Sequence, residues 1–162
     1  MYKRLKAYAN FLILLVIGSV MLYLSWQKWA DVLIDFGREL YIPWRINNGS
    51  VLYRDIAYFF GPLSPYLNAF IFRLFGSHLI TIAVFNIVLI IALAFIIYTF
   101  FNKTTNKTTA TAATATFLAM FAFSQYMDVG NYNFVCPSSQ VMALGIILSF
   151  FFLSVFLLYL QT

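Results

Sequence analysis

The chain has 162 residues; 63% are hydrophobic, 20% are aromatic and only 9% are charged, with a mean hydropathy of +0.87. A soluble domain carries about a quarter charged residues, so this composition argues against a soluble globular fold and for an integral membrane protein. The net charge of +5 comes from scattered Lys and Arg, which argues against a nucleic-acid partner, and a single cysteine, Cys136, excludes an internal disulfide.

The first predicted element is a transmembrane helix over about residues 7–24. Lys3, Arg4 and Lys6 precede it and favour a cytoplasmic N-terminus, because charges flanking the first span usually set orientation. A cleaved signal peptide is the competing reading. The apolar run is too long for a signal core, and no small-x-small cleavage site follows it. Three further apolar runs, about 80–101, 108–126 and 138–160, are predicted as spans. Helix is the state lipid permits, since its core offers the backbone no hydrogen-bond partner. The expected fold is therefore an all-α membrane protein with about four transmembrane helices in one domain, 1–162.

Between the first two spans lies an external loop, 27–77, holding nine of the fifteen charged residues and three of the four prolines. Residues 37–47 read as a short helix closed by Asn48 and Gly49, since Gly and Asn favour the left-handed position after a helix. Pro43 is expected to bend or shorten it. Residues 62–75 read as a second helix ended by Gly76, with an apolar face of Leu63, Leu67, Phe70, Ile71 and Leu74. Both helices are expected to lie parallel to the membrane at its outer surface. The tandem Asn-Lys-Thr-Thr repeat over 102–109 reads as a low-complexity connection on the cytoplasmic side. Lys and Arg divide five against five between the two sides of this topology, so the N-terminal cluster decides it.

Asp31, Asp35 and Glu39 are spaced i, i+4, i+8 and would share one face of a continuous helix. The plainer reading is that Asp35 caps the helix at Gly37, with Glu39 offsetting the helix dipole from the first turn. The order Asp35-Phe36-Gly37-Arg38-Glu39, Pro43, Gly49, Tyr53-Arg54-Asp55-Ile56, Gly61-Pro62-Leu63-Ser64-Pro65-Tyr66-Leu67 and Leu74-Phe75-Gly76 resembles the N-terminal part of an integral-membrane C-type glycosyltransferase. The family is the polyprenyl-phosphate-sugar-dependent one of the protein mannosyltransferase and aminoarabinose transferase kind. The second external loop, from Asp128 through Tyr132 and Asn133 to Pro137, also resembles that family.

The resemblance implies inverting transfer of a sugar from a lipid phosphate to an unidentified acceptor hydroxyl. Asp35 would be the general base, with Glu39 assisting. Arg38, Arg45 and Arg54 would meet the leaving phosphate, which needs positive charge. Glu39 and Asp128 could assist or hold a divalent cation, although no His cluster or Asp-x-Asp pair supports a metal. Tyr132 and Asn133 would line the sugar pocket, against the plainer reading of tyrosine as an interface anchor. His78 reads as an interface histidine, and Trp26, Trp29 and Trp44 read as part of the aromatic belt. The implied partners are the bilayer and a lipid-linked sugar donor, and the implied location is a bacterial inner membrane. Because the family has about eight or more spans, the chain is expected to be the front part of a longer enzyme. Two other readings stand beside this one: a non-catalytic membrane subunit that binds lipid-linked sugar, and a small transporter or channel subunit. The spans are nearly free of charge, which disfavours the transporter.

Overall fold

In a computed structural model of the chain, the described residues are 2–28, 36–123, 133–136 and 140–161, with side chains described from residue 9 to 160. They form six α-helices: α1 Tyr2–Ser25, α2 Gly37–Asn47, α3 Leu63–Phe75, α4 Leu79–Thr104, α5 Lys107–Thr116 and α6 Gln140–Gln161. No strand occurs among the described residues; the sole strand-like pairing is an isolated bridge between Leu52 and Ile56. The expected all-α class holds at this level.

Two helices, α4 and α6, are long and apolar enough to cross a bilayer. At 1.5 Å per residue they extend about 39 Å and about 33 Å, against a hydrocarbon core about 30 Å thick. In α1 the described apolar stretch is shorter, Ala9–Ser25. The third expected span begins at Lys107, where Asn106 Oδ1 accepts the Thr109 N–H at 3.0 Å and caps α5. It continues from Thr116 into a π-helical stretch, Phe117–Ala122, so its described helix covers 107–122. The tandem repeat is divided by this turn. Its first copy prolongs α4 to Thr104, and its second supplies the cap and first turn of α5.

The packing centre is α4, which contacts α3, α5, the π-helical stretch and α6. Ile82, Ala83, Asn86, Ile90, Leu93 and Ile97 recur at helical spacing and are buried. Val84, Val88, Ile91 and Phe95 occupy the opposite face and are exposed. Phe117, Leu118, Ala122, Phe123 and Val135 complete the core, and Leu14, Ile17 and Met21 of α1 pack against it. Hydroxyls on these helices bond to carbonyls one turn back: Thr99 to Phe95, Thr114 to Ala110, Ser149 to Gly145 and Ser154 to Phe150. Such bonds satisfy a polar side chain without any solvent or partner helix.

The two loop helices form where the sequence predicts them. After α2, Gly49 at φ +90° donates to Ile46 O and Ser50 donates to Arg45 O, both orphan carbonyls of the last turn. Gly76, at φ +87°, ends α3. A Cβ there would also lie 3.1 Å from the His78 ring. Pro43 sits buried inside α2, and the helix runs through it to Asn47. The cap position is Phe36, whose carbonyl accepts the Leu40 N–H. The capping role expected of Asp35 lies outside the described residues.

Part of the predicted apolar face of α3 is turned outward, and two of its polar residues are turned inward. Leu63, Phe70 and Leu74 of its apolar face are exposed, together with Tyr66 and Phe75, whereas Ser64 and Asn68 are buried. Gln140, the first residue of α6, is their partner. Ser64 Oγ donates to Gln140 Oε1 at 2.7 Å, Asn68 Nδ2 donates to the same oxygen at 2.6 Å, and Gln140 Nε2 returns a bond to Asn68 Oδ1 at 2.7 Å. On its other side α3 clasps α2. Asn47 Nδ2 donates to Ala69 O, and Arg73 Nε donates to Asn47 Oδ1. A small core of Ile42, Ile46, Leu52, Ile56, Tyr58 and Ala69 fills the space between them.

Candidate functional site

The loop after α2 is held by its own hydrogen bonds. Val51 N–H donates to Asp55 Oδ2 while Asp55 N–H donates to Val51 O, and Tyr53 N–H donates to Ile56 O. Tyr53 takes a positive φ of 68° in this turn, and its hydroxyl donates to Phe60 O at 2.6 Å. The effect is to bring residues 55–57 opposite α2. Between them lies an open groove of about 500 Å³, lined by Arg38, Tyr41, Ile42 and Arg45 from α2 and by Asp55 and Ile56 from the loop.

Arg38 and Arg45 are two turns apart on one side of α2, so both flank the groove. Each is held by its neighbours. Arg45 Nε donates to Ser50 Oγ at 2.9 Å, Nη1 donates to Tyr41 Oη at 2.8 Å, and the guanidinium lies 5.7 Å from the Tyr41 ring centre. Arg38 Nε and Nη2 both donate to Glu39 Oε1, at 3.1 and 2.9 Å, and its guanidinium lies 5.2 Å from the Phe60 ring centre. Fixed guanidinium groups along one groove suit a phosphate or other oxyanion, which they can grip through parallel hydrogen bonds.

Two acids modulate that charge. Asp55 is paired with Arg54 through Arg54 Nε and Nη2, both at 2.9 Å. This pairing, with the Val51 N–H, holds the Asp55 carboxyl down to about 2, and the same hydrogen bond raises the Arg54 guanidinium above its ordinary value. Glu39 is 2% exposed. Burial pushes its carboxyl up, against the opposing pull of Arg38. Tyr58 is buried beside this cluster, and burial first, then the charge of Glu39, pushes its phenol up to about 12.

Of the residues expected at a site, Arg38 and Arg45 line one groove, and Glu39 lies buried behind Arg38 through their ion pair. Arg54 does not line the groove and is committed to Asp55. Asn133 is elsewhere: its Oδ1 accepts the N–H groups of Val135 and Cys136 at 3.0 Å, and Asn86 Nδ2 of α4 donates to Val135 O at 3.1 Å. Asn133 thus shapes a buried turn against α4. Asp35, Asp128 and Tyr132 lie outside the described residues, and so does any role for them. Among the described residues no three His, Cys, Asp or Glu side chains gather into a metal-binding group.

Sequence reasoning missed Tyr41, Asp55 and Phe60 as groove or support residues. The signal for Tyr41 was present, because it lies three residues after Arg38 and four before Arg45, between them on one helix face. The contributions of Asp55 and Phe60 depend on how the loop folds back, which no spacing encodes. Comparison of the chain with protein-family models, with curated proteins and with solved structures finds no match.

Proposed function

We propose that this chain is an integral membrane protein that binds the phosphate of a lipid-linked sugar in the α2 groove, as part of a glycosyltransferase acting at the external face. The observation that carries the reading is the convergence of Arg38 and Arg45, both held in place, on one open groove. The membrane setting rests on the exposed apolar faces of α3, α4 and α6. Only about a tenth of the apolar window of α6 is buried, and lipid rather than water is the solvent in which such a surface is stable. In this setting α1, α4, α5 with its π-helical extension, and α6 are the four spans, with the N-terminus cytoplasmic. The loop helices α2 and α3 then lie at the outer boundary, where α3 turns its apolar face to lipid and its polar face to Gln140.

In the transfer step, the acceptor oxygen attacks the anomeric carbon while the bond to the phosphate oxygen breaks. Asp35 takes the acceptor proton, and Arg38 and Arg45 stabilise the negative charge left on the lipid phosphate. The test uses a full-length active enzyme carrying these residues, in proteoliposomes with a polyprenyl-phosphate [14C]hexose as donor and a hydroxyl compound it glycosylates as acceptor. Asp35→Asn is expected to abolish release of label from the lipid while leaving membrane insertion intact. Unchanged release would remove Asp35 as the base. The groove itself also favours a second reading, a subunit that binds the donor without chemistry. In that case this chain alone, as wild type or Asp35→Asn, binds donor equally and releases no label.

A further inference from the structure

We propose that Glu39 is a positioning residue: its buried carboxylate fixes the guanidinium of Arg38 so that the free edge of Arg38 meets a phosphate in one orientation. This rests on the reading of the groove as a phosphate site, and it gives Glu39 a part other than proton exchange with substrate.

Four observations carry it. First, Arg38 and Glu39 are adjacent in a helix, where neighbouring side chains point in different directions. Their ion pair therefore does not follow from helix geometry, and Arg38 must fold back to make it. Second, Arg38 is constrained along two different directions. Its Nε and Nη2 edge is tied to the single oxygen Oε1, and its guanidinium carbon lies over the Phe60 ring, 5.2 Å from the ring centre. What remains is the Nη1 end of a side chain that is 47% exposed beside the groove. Third, Glu39 is buried, whereas an acid that only offset the helix dipole would do so from water. Burial raises its carboxyl even with Arg38 present, because desolvation penalises the charged form, and the Arg38 pair opposes that penalty. Fourth, Phe60 is brought over Arg38 by a loop whose Tyr53 hydroxyl grips the Phe60 carbonyl. Both clamps on Arg38 are thus fixed by the fold. A guanidinium already immobilised loses less freedom when it binds, which raises affinity without any new contact.

Simple electrostatics predicts the opposite effect from positioning, and this makes the proposal testable. Removing a negative charge beside a cationic groove should tighten anion binding. If Glu39 works by holding Arg38, removing it should weaken binding. The experiment measures binding of geranyl phosphate to the full chain in nanodiscs of zwitterionic lipid by calorimetry, with geraniol as the partition blank. Glu39→Met fills the buried site without charge or acceptor. It is expected to raise Kd roughly tenfold, about the effect of Arg38→Ala. It should do so without lowering thermal stability at pH 7, because the burial penalty on the carboxylate disappears. Glu39→Gln, which keeps an acceptor for Arg38, should recover part of the affinity. In an Arg38→Ala background, Glu39→Met should change Kd no further, since a residue acting through Arg38 has nothing left to act on. Tighter or unchanged binding in Glu39→Met would overturn the proposal, as would effects that simply add in the double variant. A wild type that does not bind geranyl phosphate overturns the phosphate reading itself, and the positioning role falls with it.

Discussion

Gln140→Leu tests the claim that α3 is docked by a polar seam rather than by apolar burial. Gln140 makes three hydrogen bonds to α3, all with donor–acceptor distances of 2.6–2.7 Å, and all participants are buried. Leucine removes all three and leaves Ser64 and Asn68 facing an apolar side chain. The Ser64 hydroxyl, in the first turn of α3, has no carbonyl of its own helix one turn back, but as a single small group it can rotate toward the preceding loop. Asn68 cannot, and both its amide ends are left unsatisfied. At about 1–3 kcal/mol for each of these two orphaned buried groups the loss is about 2–6 kcal/mol, the lower end suiting a site near lipid, where hydrogen bonds are worth less. The assay is equilibrium unfolding in mixed micelles. The double variant Asn68→Leu, Gln140→Leu should recover most of the loss, because replacing both partners by apolar groups removes the orphans. If Gln140→Leu alone leaves stability unchanged, or if the two substitutions simply add, the seam does not hold α3 and the reasoning fails.

Two further outcomes follow from the same geometry. Phe70, 57% exposed on the apolar face of α3, should report lipid. With Trp26, Trp29 and Trp44 replaced by Phe, a Phe70→Trp protein in vesicles should emit in the blue and be quenched by brominated acyl chains; water-like emission without quenching would place that face in solvent. Asp55 should titrate near pH 2, as read by carboxyl 13C NMR, and Arg54→Ala should raise the midpoint toward 3.8, since Arg54 is the largest cause of the depression. The folded value lies below the unfolded one. The stabilisation of the 51–55 turn is therefore complete above the ordinary carboxylate range and is lost as pH falls toward about 2. A midpoint near 3.8 in the unmodified protein would mean that the Arg54 pair does not persist in solution.

The described residues show an arrangement that water-soluble proteins invert. Asn68, Ser64, Asn86, Asn133 and Gln140 are all buried, while Phe59, Phe70, Phe75, Phe151 and Phe152 are exposed. Burying amides requires partners, and most of these find them across helices: Asn68 and Gln140 pair with each other, and Asn86 binds the 135–136 backbone. In the proposed membrane setting there is no hydrophobic drive between helices, and such polar contacts and close packing would join them. Asn86 Oδ1 and Asn133 Nδ2 have no partner among the described residues, so this part of the seam is less saturated than the α3–α6 part.

Much of the architecture was legible in the sequence, because its determinants are local. Long charge-free runs require helix in lipid, and they became α4 and α6. Gly49, and Gly76 further on, closed their helices because a positive φ at these points costs glycine little; Asn48 keeps a φ of −93° and closes α2 through its N–H to the Trp44 and Arg45 carbonyls. The apolar face of α3 was visible as a periodicity, but its direction was not. A stripe of Leu and Phe reads the same whether it packs inward or meets lipid; only the pairing of Ser64 and Asn68 with Gln140, 76 and 72 residues away, decided that it faces out. The same holds for the site. Arg38 and Arg45 belong to one side of one helix, and local spacing is enough to join them. The burial of Glu39, the clamp of Phe60 on Arg38 and the removal of Asn133 to a different buried turn were decided by where the 51–62 loop and the 133–136 turn pack. Those are contacts between segments far apart in sequence, and their energies depend on the tertiary neighbours each segment meets.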